Sequence, residues 1–167
     1  VARSPDPWSF DARGVDRAEL RLRLLQQWRK ALVRGDLLPD VPLRREHRED
    51  TVDCLAALAC IGLGKDTLEV KLQDFDDLYR EDKRHRDGKG GRPIPLVDEL
   101  SRRLTDGGKL SPTLPSEIRL AATRGMELDL AEARGESVRF QHSIIQSFLG
   151  ADFIAAAMKD DKYWEAA

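Results

Sequence analysis

A histidine, a serine and a glutamine stand together where a strand pattern passes into a helix pattern. In residues 135–158, read as GESVRFQHSIIQSFLGADFIAAAM, apolar residues alternate with polar ones as far as His142, which is the period of a half-buried strand. Ser143 then begins an apolar helix. Gln146 completes a capping box, in which the Ser143 hydroxyl accepts from the Gln146 N–H and the Gln146 amide reaches back to Ser143. This spacing predicts a histidine held at a helix N terminus.

The chemistry predicted at this position is phosphate binding. A helix N terminus favours anions because its free N–H groups and the helix dipole both point there. His142 could add a hydrogen-bond donor for a phosphate oxygen. The alternative is that His142, in phase with the apolar strand face, is a core histidine bonded to backbone. The residues alone leave both interpretations open.

Composition sets limits on the other functions. The chain has 167 residues, of which 41% are hydrophobic and 35% charged, and its net charge of -2 gives no overall basic field for nucleic acid or anionic lipid. It contains no signal peptide and no apolar run of membrane-spanning length. Cys54 and Cys60 fall on different faces of one predicted helix, so we expect reduced thiols and a cytoplasmic protein. A start at Val1 without Met suggests a piece of a longer polypeptide.

Helical periodicity and turn residues divide most of the chain into helices. Helices are predicted from Asp16 to Gly35, from a cap at Asp40 to Gly64, from Asp66 or Thr67 onwards, over 94–105, and over 116–125. Strands are predicted over 126–130 and 137–142, joined as a hairpin. The polar segment 82–93, DKRHRDGKGGRP, is predicted to be an exposed loop, and the charged residues 44–50 an exposed first part of a core helix.

Helices followed by one hairpin predict a mainly α fold with a winged-helix domain. We place that domain at residues 41–158. Residues 1–40 are assigned to the end of a small helical domain and a linker, and residues 159–167 to the start of a following helix or linker.

One phrase in this region resembles a known family. The motif F-x-H-x-x-x-Q-x-F-L-x-A is carried by six residues: Phe140, His142, Gln146, Phe148, Leu149 and Ala151. It resembles the winged-helix segment of NACHT-type STAND NTPases, signalling ATPases related to NOD-like receptors. Ser147 stands where the family usually has Glu, and Gly150 where Ala is usual. The resemblance is sharp over residues 136–158 and only architectural over 16–135.

The resemblance implies a regulatory role. In that family the winged-helix domain folds back on the NACHT nucleotide-binding domain of the same chain and keeps the ADP-bound state closed. The histidine that His142 matches contacts the β-phosphate of ADP, and activation by ATP leads to an oligomer of the parent protein. Bacterial defence and innate-immune signalling are typical settings. The segment GLGKDT, residues 62–67, lacks the spacing of a P-loop, so we expect no ATPase activity from this piece alone.

Three other interpretations remain beside this one. Arg80 and His85 have the R-x-x-x-x-H spacing of HEPN ribonucleases, although His85 is predicted to lie in a loop. A DNA-binding winged helix would need a basic recognition helix and wing, whereas the hairpin here is net acidic. The third interpretation is a helical protein-interaction adaptor. No spacing of cysteines and histidines predicts a metal site.

Overall fold

The polypeptide forms helices connected by short segments, with three small strands placed between them. We describe it from a computed structural model, which covers residues 17–88, 91–105 and 110–159. In these ranges the elements are α1 (Arg17–Arg34), α2 (Arg45–Gly64), β1 (Glu69–Lys71), α3 (Leu72–Asp87), α4 (Pro95–Leu104), α5 (Leu114–Glu127), β2 (Ala131–Arg134), β3 (Ser137–Phe140) and α6 (Ser143–Ala157). The predicted mainly α fold with a hairpin is confirmed.

Helix α2 lies at the centre of the core. Its sequence is apolar almost all round, and the side chains from Thr51 to Ala59 are all buried. Glycines let the neighbouring helices approach it closely. A Cβ added at Gly125 on α5 would lie 2.8 Å from Leu55, and one added at Gly150 on α6 would lie 2.5 Å from Leu63. The prediction of a central core helix is confirmed.

The sheet has three antiparallel strands in the order β1-β3-β2. Val138 on the central strand pairs with Val70 on β1 and with Ala133 on β2. Strand β1 was not predicted, because its three residues were assigned to the helix starting at Asp66 or Thr67. That helix begins instead at Leu72, and Val70 is buried between two exposed residues in the alternation of a strand.

The first strand of the hairpin begins later than predicted. Residues 126–130 do not form a strand, since α5 continues to Glu127 and Asp129 has a positive φ of 57°. Leu128 and Leu130 are both buried beside that bend, so apolar and polar residues alternate here as they would in a strand. Strand β2 starts at Ala131, and a turn at Gly135, with φ 59°, leads into β3.

The predicted loop at residues 82–93 is wrong in its first half. Helix α3 continues to Asp87, and the Asp82 side chain is fully buried. Its carboxylate accepts hydrogen bonds from Arg86 Nε at 2.7 Å and from the Ile94 N–H at 2.6 Å. A buried carboxylate with these partners ties the end of α3 to the start of α4.

The charged start of α2 is mostly exposed, as predicted, but its N-cap and Arg48 differ from the prediction. Helix α2 begins at Arg45, with Arg44 rather than Asp40 at the N-cap and no side-chain cap. Arg48, expected on a solvated face, is only 2% exposed. Its guanidinium donates to five backbone carbonyls, those of Leu32, Leu37, Leu38, Val41 and Leu43. Arg48 therefore holds the α1–α2 connection in place.

Helix α1 packs against both α2 and α6. Leu32 is buried, and Arg29 donates to Asp53 on α2 and to Asp152 on α6, each at 2.9 Å. The predicted cap at Asp16 and the terminal segments 1–16 and 160–167 lie outside the described residues. The predicted domain boundary at residue 40 stays a prediction.

Candidate functional site

Most residues of the motif at the junction of β3 and α6 are buried, whereas His142, which precedes the helix, is exposed. Phe140 and Leu149 are fully buried in the core, and Gln146 is only 4% exposed. His142 and Ser143 are exposed. Packing therefore accounts for most of the motif and leaves the histidine available to solvent or a ligand.

His142 is the N-cap residue of α6. Its backbone is extended, with φ -128° and ψ 119°, and its carbonyl accepts from the N–H groups of Ile145 and Gln146 at 3.1 Å. Its imidazole makes no hydrogen bond or ion pair with the described residues. Strand β3 ends at Phe140, so His142 does not continue the buried strand face. The alternative of a core histidine bonded to backbone is wrong.

The predicted capping box of Ser143 and Gln146 is also wrong. Ser143 is the first helical residue rather than the cap, and no described side chain caps α6. Gln146 lies on the buried side of the helix, where its Nε2 donates to the Thr67 carbonyl at 2.7 Å. It therefore cannot reach back to Ser143. The N–H groups of Ser143 and Ile144 consequently have no partner among the described residues, which makes this helix end more open to an anion than predicted.

The hydrogen bond from Gln146 positions this helix end. It joins the first turn of α6 to the α2–β1 connection, through the Thr67 carbonyl. Gly62 leaves the space for it, because an added Cβ there would collide with Gln146 Nε2 and lie 2.8 Å from the Thr67 oxygen. This role of Gly62 was not predicted from the sequence. The position of His142 thus depends on a contact made about one turn further along α6.

A charged network lies behind α6. Arg103 on α4 donates to Asp53 at 2.8 Å and to Glu99 at 2.6 Å, and its guanidinium lies 4.6 Å from the Phe153 ring centre. Arg29 donates to the same Asp53 oxygen. Burial raises the pKa of Asp53, and the two arginines oppose that rise. The network joins four helices and was not predicted. Its sequence signal was a single aspartate inside the apolar run of α2.

A groove of about 410 Å³ runs between α1 and α6, next to the His142 position. Leu22 and Ile144 line it and are nearly half exposed. Its polar lining comes from Arg21, Asp152 and serines of α6. The groove shows an apolar surface beside the candidate phosphate site.

The two cysteines have no features of catalytic nucleophiles. Both are free thiols, as predicted. Burial raises the pKa of the Cys60 thiol to about 11 and that of Cys54 well above its ordinary value. Cys60 Sγ donates to the Gly150 carbonyl at 3.1 Å, so it supports the α2–α6 contact. Within the described ranges no group of three or more His, Cys, Asp or Glu side chains could hold a metal ion.

The structure does not bring together the residues of the ribonuclease interpretation. His85 lies in α3 rather than in a loop, and its Nδ1 donates to the Arg92 carbonyl at 2.8 Å. Arg80 donates to Asp77 at 2.6 Å. Five residues of an α-helix turn the chain by about 500°, so the two side chains point about 140° apart. They do not converge on one site.

The arginine best placed on α5 to contact DNA is already paired within the protein, which weakens the DNA-binding interpretation. Arg119 on α5 donates to both carboxylate oxygens of Asp76, at 3.1 and 2.7 Å, and lies 3.5 Å from Glu136. Its charge is therefore compensated within the protein, and a DNA phosphate would have to compete with these carboxylates.

Among the described helices, none has the length and apolar character needed to cross a bilayer.

Comparison with known proteins identifies no family. No family model, no curated protein and no solved structure matches this chain.

Proposed function

We propose that this chain is a non-catalytic regulatory module of a STAND signalling ATPase, in which His142 contacts the phosphate of bound ADP. The observation that supports the proposal most directly is the exposed imidazole at an uncapped helix N terminus. The neighbouring motif residues Phe140, Gln146 and Leu149 are used in packing, whereas the His142 imidazole has no partner among the described residues.

The arrangement offers an anion several donors at one place. The N–H groups of Ser143 and Ile144 point out of the first turn of α6, and the imidazole of His142 precedes them directly. The helix dipole adds a partial positive charge at the same end. In the proposed site a phosphate group accepts from these donors, and none of them is used in a hydrogen bond to another described residue.

Regulation then follows from the difference between two docked states. The other half of the nucleotide site lies on the NACHT domain of the parent protein. When ADP is bound there, its phosphate adds contacts to the closed arrangement through His142. Exchange for ATP removes that preference, and the module releases the domain for oligomerisation. A coupling free energy of about 1–3 kcal/mol gives a graded switch of this kind.

The parent protein provides the first test. Its coding sequence is read upstream of Val1, and the purified full-length protein is analysed for bound nucleotide after denaturation. The proposal requires a G-x-x-x-x-G-K-[ST] loop after a predicted strand and ADP at close to one molecule per chain. A complete protein without such a loop, purified without nucleotide, would refute it.

A helical interaction adaptor is the second candidate, and one observation favours it. The outer face of α6 is apolar and exposed, which a purely nucleotide-sensing role does not explain. In the adaptor interpretation this face, rather than His142, carries the function.

A further inference from the structure

Helix α6 is apolar on all sides, yet one of its faces is not covered by any of the described residues. Its sequence from Ser143 to Ala157 contains a single charged residue, Asp152, which is paired with Arg29. A helix of this composition is normally buried all round. Successive residues are separated by 100° around the axis, which places five exposed residues on one strip. They are Ile144, Ser147, Ala151, Ile154 and Ala155, and we call them the α6 strip.

The neighbouring helices widen the uncovered surface. Leu22 on α1 lies across the groove from Ile144 and is 45% exposed. Leu63 at the end of α2 lies beside Gly150 and is 41% exposed. Ile144 and Ile154 themselves are 46% and 42% exposed. Four of the large exposed apolar side chains in the described residues thus lie around one helix. Such a cluster indicates an interaction surface, whereas isolated exposed apolar residues do not.

The spacing within the strip matches a second copy of itself. In an antiparallel pair of α6 helices whose two-fold axis crosses the strip at the level of Leu149 along the helix, Ile144 of one copy lies opposite Ile154 of the other. Ser147 then lies opposite Ala151. Large residues meet large ones at the two ends, and small residues meet at the centre, where the backbones approach most closely. The strip carries no charge, so pairing it with itself brings no like charges together.

We propose that the α6 strip is a two-fold interface between two copies of this chain. The proposal does not depend on the nucleotide-sensing role. The strip of a 15-residue helix is about 22 Å long and ~10 Å wide, so even with the flanking leucines the buried area stays below about 1,200 Å². The dimer is therefore weak, and it forms in equilibrium with the monomer.

Sedimentation equilibrium of the 167-residue chain over a range of concentrations tests the interface. We expect the average mass to rise from 18.9 kDa toward twice that value as concentration increases. The Ala151→Glu variant should stay monomeric, because it places two carboxylates near the two-fold axis. Leu120→Glu is the control, since Leu120 is 42% exposed, the same fraction as Ile154 in the strip, but lies on α5. It should associate like the wild type, and circular dichroism confirms that both variants are folded.

A mixture of two variants tests the register. Ser147→Arg should be monomeric alone, as should Ala151→Glu. Mixed in equal amounts, they place an arginine opposite a glutamate across the interface and should form a heterodimer. A wild-type chain that stays monomeric at every concentration overturns the proposal. A monomer is the result expected if the strip binds a different partner. Equal loss of association in Leu120→Glu, or no recovery in the mixture, overturns it as well.

Discussion

His142 and Arg48 show how differently two polar residues of this chain are placed. The His142 side chain is exposed and makes no bond to the described residues, whereas the Arg48 side chain is buried and donates to five carbonyls. The first has no structural role in these contacts, which is why we assign it to ligand binding. Arg48 has no carboxylate partner among the described residues, and all of its hydrogen bonds go to the backbone. Its role is to fix the connection between α1 and α2.

Replacing Arg48 should be strongly destabilising. Arg48→Ala empties a buried position and removes five hydrogen bonds from the α1–α2 connection. The carbonyls of Leu37 and Leu43 then have no other donor among the described residues, and each unsatisfied group costs about 1–3 kcal/mol. We expect a loss of at least about 3 kcal/mol in the free energy of unfolding, measured by urea denaturation. Arg48→Lys should recover little of it, because an ammonium cannot reproduce the planar fork of donors. Arg45→Ala, at an exposed position of the same helix, is the control and should change stability by less than about 0.5 kcal/mol. Comparable losses in the two alanine variants would contradict the role of Arg48.

The Cys60 thiol should react slowly at neutral pH. Its pKa is raised by burial to about 11, so only about 0.1% is thiolate at pH 8, compared with about 10% for a thiol of pKa 9.0. Alkylation by iodoacetamide, followed by peptide mass mapping, should therefore be about 100-fold slower than in the urea-unfolded chain. The rate should rise about tenfold per pH unit up to pH 11. Rapid labelling of the folded protein at pH 8 would show that the thiol is not desolvated as described.

At the scale of elements, the position of α6 depends on Gly62. A Cβ at Gly62 would collide with the Gln146 amide, whereas one at Gly64, on the last turn of the same helix, would meet nothing within 4 Å. We expect Gly62→Ala to lower the free energy of unfolding by about 1–3 kcal/mol. Gly64→Ala should be neutral or slightly stabilising, because alanine favours the helix. Both are measured by urea denaturation. Equal effects of the two substitutions would show that Gln146 does not occupy the described space.

The sequence predicted most helices because their apolar residues recur at helical spacing. The core helix α2 and the helix at Pro95–Leu104 lie where that periodicity placed them. Strand β1 was missed because three residues are too few to show a period, and Val70 also fits a helical pattern. Residues 126–130 were assigned to a strand because Leu128 and Leu130 alternate, although a positive φ at Asp129 produces that burial.

The candidate site was predicted in part, and the difference has a physical cause. His142 was correctly placed at the start of the last helix, since Phe140 and the apolar residues after Ser143 mark the junction. The capping box failed because Gln146 has a buried partner, the Thr67 carbonyl, that lies 79 positions away in the chain. The spacing of neighbouring residues cannot predict a contact between positions so far apart in the chain. The five acceptors of Arg48 and the pairs of Asp53 were missed for the same reason.

At the scale of the whole molecule, the proposed switch and the proposed dimer use different parts of α6, which meet at Ile144. The nucleotide contact is made at the N terminus of the helix, and the dimer contact along its outer face. Ala151→Glu should therefore abolish self-association without affecting nucleotide retention by the parent protein. The two proposals can fail independently, since one depends on a free imidazole and the other on an uncovered apolar strip.

The measurement that tests the central proposal most directly is the rate of ADP release from the full-length parent protein carrying His142→Ala. Loss of one hydrogen bond to a charged phosphate costs about 1.5–3 kcal/mol, so ADP should dissociate about 10- to 100-fold faster than from the wild type. His47→Ala removes another exposed histidine, at the start of α2, and should leave the rate unchanged. ADP release from His142→Ala at the wild-type rate would contradict the assignment of His142 as the phosphate contact.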